Sequence, residues 1–263
     1  MTEYLIISLT SLAVAGLTFF SGFGLGTLLM PAFAVFFPVE IAVAATAFIH
    51  LANNIFKIFL VGKNADRRIV LLFALPGAAG AMIGALLLNY FAILPSLGDY
   101  TFMGKQFFLM PGKILIAALI VFFALLELSP YLKNSSFSLR FVPLGGVLSG
   151  FFGGLSGHQG ALRSAFLMRT GLDKQTLIGT MVVSAVVVDF SRLVIYGLTF
   201  FENNLPAMQE QGLIGLIIVG SLFAFAGSFA GSRLLKKITL KTLHTIIAVM
   251  LLLLALALGA GIL

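Results

Sequence analysis

Six long apolar stretches, nearly free of charge, constrain this chain more than any other feature of its sequence. A helix needs about 20 apolar residues to cross the hydrocarbon core of a bilayer. A single soluble core cannot bury this much apolar surface in a chain of 263 residues. The stretches therefore predict an all-α polytopic membrane protein and exclude a soluble enzyme or a DNA-binding domain. They occupy residues 39–61, 69–91, 113–129, 174–198, 213–234 and 242–262.

The composition agrees with a bundle of membrane helices. Charged residues make up 10% of the chain, against about 25% in soluble domains. The apolar stretches are continuous rather than alternating, which is not typical of a membrane β-barrel. The chain has no cysteine, so a thiolate metal site is excluded, and we predict neither a metal nor another cofactor. We interpret the net charge of +7 as basic cytoplasmic loops rather than as a nucleic-acid-binding surface.

Two further regions, residues 4–37 and 141–170, contain apolar runs that are interrupted by glycine-rich breaks. The first break is Ser21–Gly26 and the second is Gly153–Gly160. Each region is either a pair of short crossing helices or a hairpin that enters and leaves on one side of the membrane. With the six long stretches, the sequence predicts eight to ten membrane segments.

Loop charges set the expected orientation, because cytoplasmic loops of membrane proteins are enriched in lysine and arginine. Four loops together hold eleven basic residues, whereas two other loops and their edges hold two. We therefore place the four basic loops in the cytoplasm. The other two loops and both chain termini then face outward. The basic loops are 62–68, 130–140, 169–174 and 233–241, and the outward loops are 92–112 and 199–212.

The two irregular regions begin the two halves of an internal repeat. Several residues recur at an offset of 134, among them Gly26 with Gly160. Each half, residues 1–134 and 135–263, contains a broken or short helix pair followed by three transmembrane helices. An odd number of segments per half reverses the orientation of the second half, so the repeats are inverted. Inverted repeats with broken helices are typical of secondary transporters.

These features resemble the TauE/SafE family of bacterial sulfite and organosulfonate exporters over nearly the whole chain. The resemblance is carried by two glycine-rich segments and by the polar pairs that follow them. The segments are Gly22-x-Gly24-x-Gly26 and Gly153-Gly154-Leu155-Ser156-Gly157-His158-Gln159-Gly160, and the pairs are Asn53-Asn54-x-x-Lys57 and Asp189-x-x-Arg192. Family members commonly have a run of three glycines where this chain has His158, Gln159 and Gly160.

The resemblance implies a secondary transporter that exports a small sulfur-containing anion, sulfite or an organosulfonate such as sulfoacetate, with proton coupling. The inverted repeats add transport by alternating access. No enzymatic activity is implied. An anion channel and an intramembrane serine hydrolase, with Ser156 as nucleophile and His244 as base, are the alternatives.

The expected partners are the small anionic substrate and the lipid bilayer, with a possible homodimer and no nucleic acid. Two matched glycine patterns bear on the homodimer. Gly80-x-x-x-Gly84 and Gly227-x-x-x-Gly231 predict close helix packing, either between the two halves or in a dimer.

Few ionisable side chains remain within the apolar segments once the loop charges are set aside. A charge at bilayer depth is costly and therefore marks a candidate functional site. Three bases against one acid suit an anionic substrate, and of the two histidines we interpret His50 as a helix contact facing Asn54. The embedded residues are Lys57, Arg163, Arg192, Asp189, His50 and His158.

The second break offers the most donors for a sulfonate, which carries a negative charge and three acceptor oxygens. A helix that starts there presents free N–H groups and the positive end of its dipole, and Arg163 adds a guanidinium fork. Arg163 could instead pair with Asp189 as a structural contact. The first break has the same backbone chemistry, and its hydroxyls either bind substrate or cap a helix. The predicted substrate-binding residues at the breaks are Gly157, His158, Gln159, Gly160, Arg163, Ser21, Gly24, Gly26 and Thr27.

Two polar helix faces complete the predicted site. Asn54 and Lys57 lie one helical turn apart, as do Asp189 and Arg192, and the repeat places these two faces opposite each other. Asn54, Lys57 and Arg192 are predicted to bind substrate. Lys57 could instead extend to the membrane surface, and Arg192 could pair with Asp189. Asp189 and His158 are the two candidates for carrying the coupling proton.

Overall fold

The computed structural model describes residues 1–19, 24–128, 139–201, 212–234 and 240–262. Within these ranges it contains ten α-helices and one two-stranded sheet. The helices are α1 (Thr2–Leu17), α2 (Leu25–Ala34), α3 (Val39–Val61), α4 (Arg67–Ala92), α5 (Pro111–Leu128), α6 (Val142–Ser156), α7 (Gly160–Leu167), α8 (Lys174–Tyr196), α9 (Leu213–Leu234) and α10 (Leu240–Gly259). The strands are β1 (Asp99–Phe102) and β2 (Lys105–Phe108). Short 3₁₀ turns lie at Gly62–Asn64 and Leu139–Phe141, and a π-helical turn lies at Gly197–Phe201.

The predicted class, an all-α polytopic membrane protein, is confirmed. Among the described residues, five helical segments are long and apolar enough to cross a membrane. Four of them coincide with predicted apolar stretches, and the fifth contains α6 of the second irregular region. The segments are Val39–Asn64, Arg67–Ala92, Leu139–Ser156, Lys174–Thr199 and Leu213–Arg233.

Aspartates determine where two of the long helices begin. Asp66 accepts a hydrogen bond from the backbone N–H of Ile69 and caps α4. Asp173 accepts from the backbone N–H groups of Gln175 and Thr176 and caps α8. Such caps satisfy N–H groups that the start of a helix leaves unpaired. Hydrogen bonds from the side chain and backbone of Thr176 hold the pKa of the Asp173 carboxyl below its usual range.

Both irregular regions form a longer helix followed by a short one. Glycines with positive φ stand at both breaks, with φ of 115° at Gly24 and 81° at Gly157, a conformation that residues with a Cβ rarely adopt. The second helices, α2 and α7, have 10 and 8 residues. They are therefore about 15 and 12 Å long. Neither helix can cross a hydrocarbon core of about 30 Å alone.

A β-hairpin stands in the loop between α4 and α5, where the sequence predicted no secondary structure. β1 and β2 pair antiparallel with Phe102 opposite Lys105, and both residues between them have positive φ. Two-residue turns of this kind match the twist of paired strands. The hydroxyl of Tyr100 in β1 donates a hydrogen bond to the carbonyl of Ala260, which connects the hairpin to the end of α10.

Small residues bring helices of the two sequence halves into close contact. Gly80 and Gly84 of α4 lie against the backbone of α6, and Gly227 and Gly231 of α9 lie against the backbone of α1. Close backbone approach is the usual role of such spaced glycines in membranes. Of the two interpretations of these glycine pairs, the structure supports packing between the halves.

Helix contacts divide the described molecule into two bundles. The first bundle contains α1, α2, α3 and α9, the second contains α4, α6, α7 and α8, and α5 packs against α10. Each bundle thus takes its broken pair and third helix from one half of the sequence and its fourth helix from the other. The bundles meet mainly where α3 packs against α8, so residues on these two helices determine what lies between the bundles.

The substitution Gly84→Ala is expected to destabilise the protein, because the new methyl group would overlap the backbone carbonyl oxygen of Phe151 in α6. Overpacking of a tight interior costs about 1–3 kcal/mol, and here the obstacle is backbone rather than a movable side chain. The matched control is Gly98→Ala, whose methyl group would meet no atom within 4 Å. Thermal loss of helix, followed by circular dichroism in detergent, should occur at a lower temperature for Gly84→Ala only. Equal midpoints for the two variants would contradict this packing.

Candidate functional site

The contact between α3 and α8 contains a buried network centred on the Asp189 carboxylate. His50 of α3 donates from Nδ1 to Oδ2 of Asp189 at 2.6 Å, and Asn54, one turn later, donates from Nδ2 to the same oxygen at 3.4 Å. Gln159, in the break between α6 and α7, donates to Oδ1 at 2.6 Å. All four side chains are buried. The two polar helix faces that the repeat predicted to be opposite are therefore in direct contact.

Arg192 connects this network to the end of α6. Its Nη2 and Nε atoms lie 2.6 and 3.1 Å from Oδ1 of Asp189, and its Nη1 atom donates to the carbonyl of Gly153 at 2.8 Å. Tyr196, one turn further along α8, donates from its hydroxyl to the carbonyl of Gly154. All three guanidinium nitrogens of Arg192 thus have protein partners, and the ion pair with Asp189 that the sequence left open is present.

The two glycine-rich breaks approach each other beside this network. A methyl group added to Gly26, in the first turn of α2, would lie 3.2 Å from the carbonyl oxygen of Gly157 and 3.9 Å from the His50 ring. One added to Gly157 would lie 3.9 Å from Nη1 of Arg192. Since both positions are glycine, the two backbones can approach this closely. The predicted breaks therefore meet at the interface between the bundles.

A small cavity lies next to the network, between the end of α1 and helices α2, α3, α7 and α8. The cavity has room for about one water molecule. The cavity wall contains two bases, Lys57 and Arg163, and two members of the network, His50 and Asn54. The other lining residues are Thr18, Phe19, Leu25, Met181 and Val182.

Both bases of the cavity wall are buried inside the protein. Lys57 of α3 is 6% exposed, and its Nζ atom lies 5.2 Å from the centre of the Phe19 ring. Its side chain therefore turns into the protein, which does not support the alternative that it extends to the membrane surface. Arg163 of α7 is 2% exposed. Because α3 and α7 belong to different bundles, each bundle contributes one base to the cavity.

His158 lies in the second break but does not line the cavity. Its Nδ1 atom is 2.9 Å from the carbonyl oxygen of Ser156. Its ring stacks on Phe123 of α5, with 5.4 Å between the ring centres and 7° between the planes. The other ring nitrogen, Nε2, is buried and has no hydrogen-bond partner within the described part of the chain. His158 therefore packs against α5.

Along α8, the cavity-lining residues Met181 and Val182 come before Asp189 and Arg192 comes after it. Lys57 is four residues from the C-terminal end of α3, and Met181 is seven residues from the N-terminal end of α8. Both helix ends adjoin basic loops that the charge distribution assigns to the cytoplasm. In the predicted repeat, Arg192 is the equivalent of Lys57, but its contacts with Asp189 and Gly153 hold it within its own bundle. The cavity therefore lies toward the predicted cytoplasmic side.

The predicted site residues fall into four groups. Those that line the cavity are Asn54, Lys57 and Arg163. Those in the adjacent network or at the meeting point of the breaks are Asp189, Gln159, Arg192, Gly26 and Gly157. Those that belong to the breaks but do not line the cavity are Gly24, Thr27, His158 and Gly160. Ser21 lies outside the described residues, as does the side chain of His244.

His50 is a site residue that the sequence alone does not identify, because its spacing from Asn54 predicts only a helix contact. The expected contact exists, since Nδ2 of Asn54 lies 3.0 Å from Nδ1 of His50. A signal for a larger role was present: His50, Asn54 and Lys57 are spaced by four and three residues and so share one helix face. The apolar lining residues, such as Phe19 and Met181, have no signal that separates them from other residues of a membrane helix.

Among comparisons of this chain with known proteins, only the comparison with protein-family models gives a match. A protein-family model described as sulfite exporter TauE/SafE matches residues 7–258. Comparisons with curated proteins and with solved structures gave no significant match. The matched range contains every residue of the cavity wall and of the Asp189 network.

Proposed function

The chain belongs to the TauE/SafE sulfite exporter family, and we propose that it exports sulfite or a small organosulfonate, such as sulfoacetate, by proton-coupled alternating access. The family is one of membrane exporters of sulfite and sulfonates, so its members are membrane transporters. The bacterial inner membrane, with both termini in the periplasm, is part of the proposal and is supported by the loop charges.

One observation carries the choice of an anion: a base from each bundle, Lys57 and Arg163, is buried at one cavity. Cations inside membrane proteins are costly and mark ion or substrate sites. A single anion between the bundles would interact with both bases. The guanidinium of Arg163 offers parallel N–H groups for two oxygens of a sulfite or sulfonate, and the amide of Asn54 offers a further donor.

The size of the cavity supports transport with a conformational change. Sulfite has four heavy atoms, whereas the cavity has room for about one water molecule. The cavity must therefore widen to admit the anion. Because Lys57 and Arg163 lie on different bundles, a movement of one bundle relative to the other would widen the cavity, and this is the kind of motion that alternating access uses.

The moving bodies that we propose are the two bundles rather than the two sequence halves. Under the predicted repeat, the packing of α4 on α6 corresponds to that of α9 on α1, and the packing of α4 on α8 corresponds to that of α9 on α3. This correspondence supports inverted repeats over residues 1–134 and 135–263. Since each fourth helix packs with the opposite half, rocking at the α3–α8 contact would move residues of both halves together.

Two parts of the proposal concern the direction of transport, which is export, and its coupling to protons. The cavity lies toward the predicted cytoplasmic side, where an exporter must load its substrate. Of the two proton carriers that the sequence suggested, Asp189 contacts two residues of the cavity wall, His50 and Asn54. His158 lies further away, against Phe123. The geometry thus favours a role in coupling for the Asp189 network.

Calorimetric titration of the purified protein with sulfite, sulfoacetate, taurine and carboxylate analogues tests the substrate. We expect sulfite or sulfoacetate to bind more tightly than carboxylates. The three oxygens of a sulfite or sulfonate group can accept from more N–H donors of the cavity wall than the two oxygens of a carboxylate can. Absence of binding by every sulfur-containing anion would overturn the proposed function. In proteoliposomes, saturable flux that responds to a pH gradient is expected, whereas flux that follows voltage alone would favour the anion channel.

The serine hydrolase alternative predicts that Ser156 is essential, whereas we expect Ser156→Ala to transport near the wild-type rate. Oγ of Ser156 donates to the carbonyl of Phe152 at 3.0 Å, and Nδ1 of His158 lies 3.2 Å from Oγ of Ser156. The base of that alternative, His244, has its side chain outside the described residues. The histidine next to Ser156, His158, faces the Ser156 carbonyl oxygen with Nδ1, so this nitrogen carries a hydrogen and cannot accept the serine proton. Loss of transport in Ser156→Ala, with hydrolysis by the wild type, would support the hydrolase.

A further inference from the structure

His50 is a titratable residue that belongs both to the Asp189 network and to the cavity wall. It lies at the middle of the 23-residue helix α3. Its Nδ1 atom contacts Asp189, and it lines the cavity together with Lys57 and Arg163. Imidazole is the side chain whose charge ordinarily changes between about pH 5 and 8. A charge change at this position would act on the ion pair and on an anion in the cavity at the same time.

The Asp189 carboxylate has N–H donors on both of its oxygens. Oδ1 accepts from Arg192 and Gln159, and Oδ2 accepts from His50 and Asn54. Protonation of this carboxylate would place a hydrogen where a donor already lies, and it would leave the buried guanidinium without its counter-ion, which is strongly unfavourable. Asp189 therefore remains ionised while another group in the site changes charge.

The contact with Asp189 also determines which nitrogen of His50 can take up a proton. A carboxylate only accepts hydrogen bonds, so Nδ1 carries a hydrogen in the neutral ring and Nε2 is the basic nitrogen. Nδ2 of Asn54 lies 3.4 Å from Nε2. In the neutral ring, Nε2 can accept from this amide N–H. Once protonated, Nε2 is itself a donor and needs an acceptor in place of the Asn54 amide. An oxygen of a bound anion is such an acceptor.

The charges around His50 favour its protonation once an anion is present. The charged side chains that face it are Arg192 and Asp189 of α8, Arg163 of α7 and Lys57 of α3 itself. The neutral groups that face it from other elements are Gln159 of the break and Gly26 of α2. Three positive charges and one negative charge give a formal sum of +2 around the neutral ring. An anion offsets this positive field and so lowers the cost of an imidazolium.

We propose that His50 takes up a proton at Nε2 when the anion binds, with Asp189 as its fixed counter-ion. The inference rests on the proposed anion site and names the residue that couples it to protons. Because linkage is reciprocal, the proton strengthens anion binding by the same factor. The anion and the proton then cross the membrane together. A dianion with one proton still carries a net negative charge outward, which a potential that is negative inside favours.

The first test is the pH dependence of binding, with sulfoacetate as the probe. A carboxyl group titrates near about pH 4, so the charge of sulfoacetate is constant from about pH 6 to 8.5. Over this range we expect the wild-type affinity to fall by up to about tenfold per pH unit as His50 loses its proton. The affinity of His50→Gln should not depend on pH. The same substitution in α10, His244→Gln, is the control and should follow the wild type.

The second test observes His50 in the intact site, so it does not require the His50→Gln variant to fold. The chain has three histidines, and their ¹⁵N-labelled side chains give few signals, which single His→Gln variants assign. At a pH where the ring of His50 is neutral in the free protein, sulfoacetate should convert its spectrum to that of an imidazolium. Nδ1 should carry a hydrogen both before and after the anion binds.

Three results would overturn the inference. If the wild-type affinity did not depend on pH, anion binding would not be coupled to proton uptake, although the anion site itself would still be supported. A pH-dependent affinity with an unchanged His50 spectrum would assign the proton to another group, such as Lys57 or His158. Failure to bind sulfoacetate or sulfite at any pH would overturn the proposed function and the inference with it.

Discussion

Arg163→Ala should lose sulfite and sulfoacetate binding while remaining folded. Truncating one partner of a buried, hydrogen-bonded charge pair costs about 2–5 kcal/mol, which corresponds to roughly 30-fold to 4,000-fold in affinity. Arg163 lines the cavity and is 2% exposed, so little solvent is present to replace its interaction with the anion. Calorimetric titration at a fixed pH measures the loss.

Two further variants separate the role of Arg163 in binding from a role in folding. Arg68→Ala removes the same charge from an exposed position at the start of α4 and should bind with wild-type affinity. Arg163→Lys keeps the charge but loses the fork geometry, so an intermediate affinity is expected. All three proteins should elute as single species in size-exclusion chromatography. A folded Arg163→Ala protein with unchanged affinity would remove this residue from the site.

Asp189→Ala is expected to cause the largest loss of stability among these variants. Asp189 and Arg192 are both 0% exposed, and breaking a buried ion pair by removing one partner costs about 3–5 kcal/mol. The substitution also removes the carboxylate that accepts hydrogen bonds from His50, Asn54 and Gln159. These hydrogen bonds connect the two bundles. The chain has no tryptophan, so the midpoint of thermal helix loss by circular dichroism is the suitable measurement.

The physical reason for this loss can be tested with a second substitution. In Asp189→Ala/Arg192→Leu the buried guanidinium that loses its counter-ion is removed as well, so the double variant should unfold at a higher temperature than Asp189→Ala. Asp173→Ala serves as the matched control, since it removes an exposed carboxylate that caps the same helix, and its shift should be smaller. A double variant that is less stable than Asp189→Ala would show that the contact of Arg192 with Gly153 outweighs the cost of its unpaired charge.

The long helices could be predicted because the bilayer imposes a length on them. A membrane helix requires about 20 apolar residues, and the predicted stretches 39–61, 174–198 and 213–234 end within a few residues of α3, α8 and α9. The path of the short helices α2 and α7 does not follow from the sequence, because an apolar run of that length fits either a short crossing helix or a hairpin that enters and leaves on one side. The hairpin between α4 and α5 was missed, since its strands are only four residues long and show no clear alternation.

The candidate site was predictable in its residue types but not in its contacts. Lys57 and Arg163 stood out because a base inside an apolar segment is rare. Spacing along a helix gives the face that a residue occupies, but it does not give the partner across a helix contact. His50 therefore appeared to face only Asn54, while its contact with Asp189 depends on the crossing of α3 and α8. The contact of Arg192 with the Gly153 carbonyl depends equally on the packing of α6.

By itself, the sequence determined that this chain is a polytopic helical membrane protein with two broken helix pairs and a small set of embedded charges. These conclusions follow from apolar length, from the position of glycine and from the cost of charge in lipid, all of which are local properties. Only the tertiary structure decided that the fourth helix of each half packs with the opposite half and that Lys57 and Arg163 share one cavity. It also decided that Asp189 is held by Arg192 and His50. Such pairings join residues far apart in the chain, and packing of whole helices determines them.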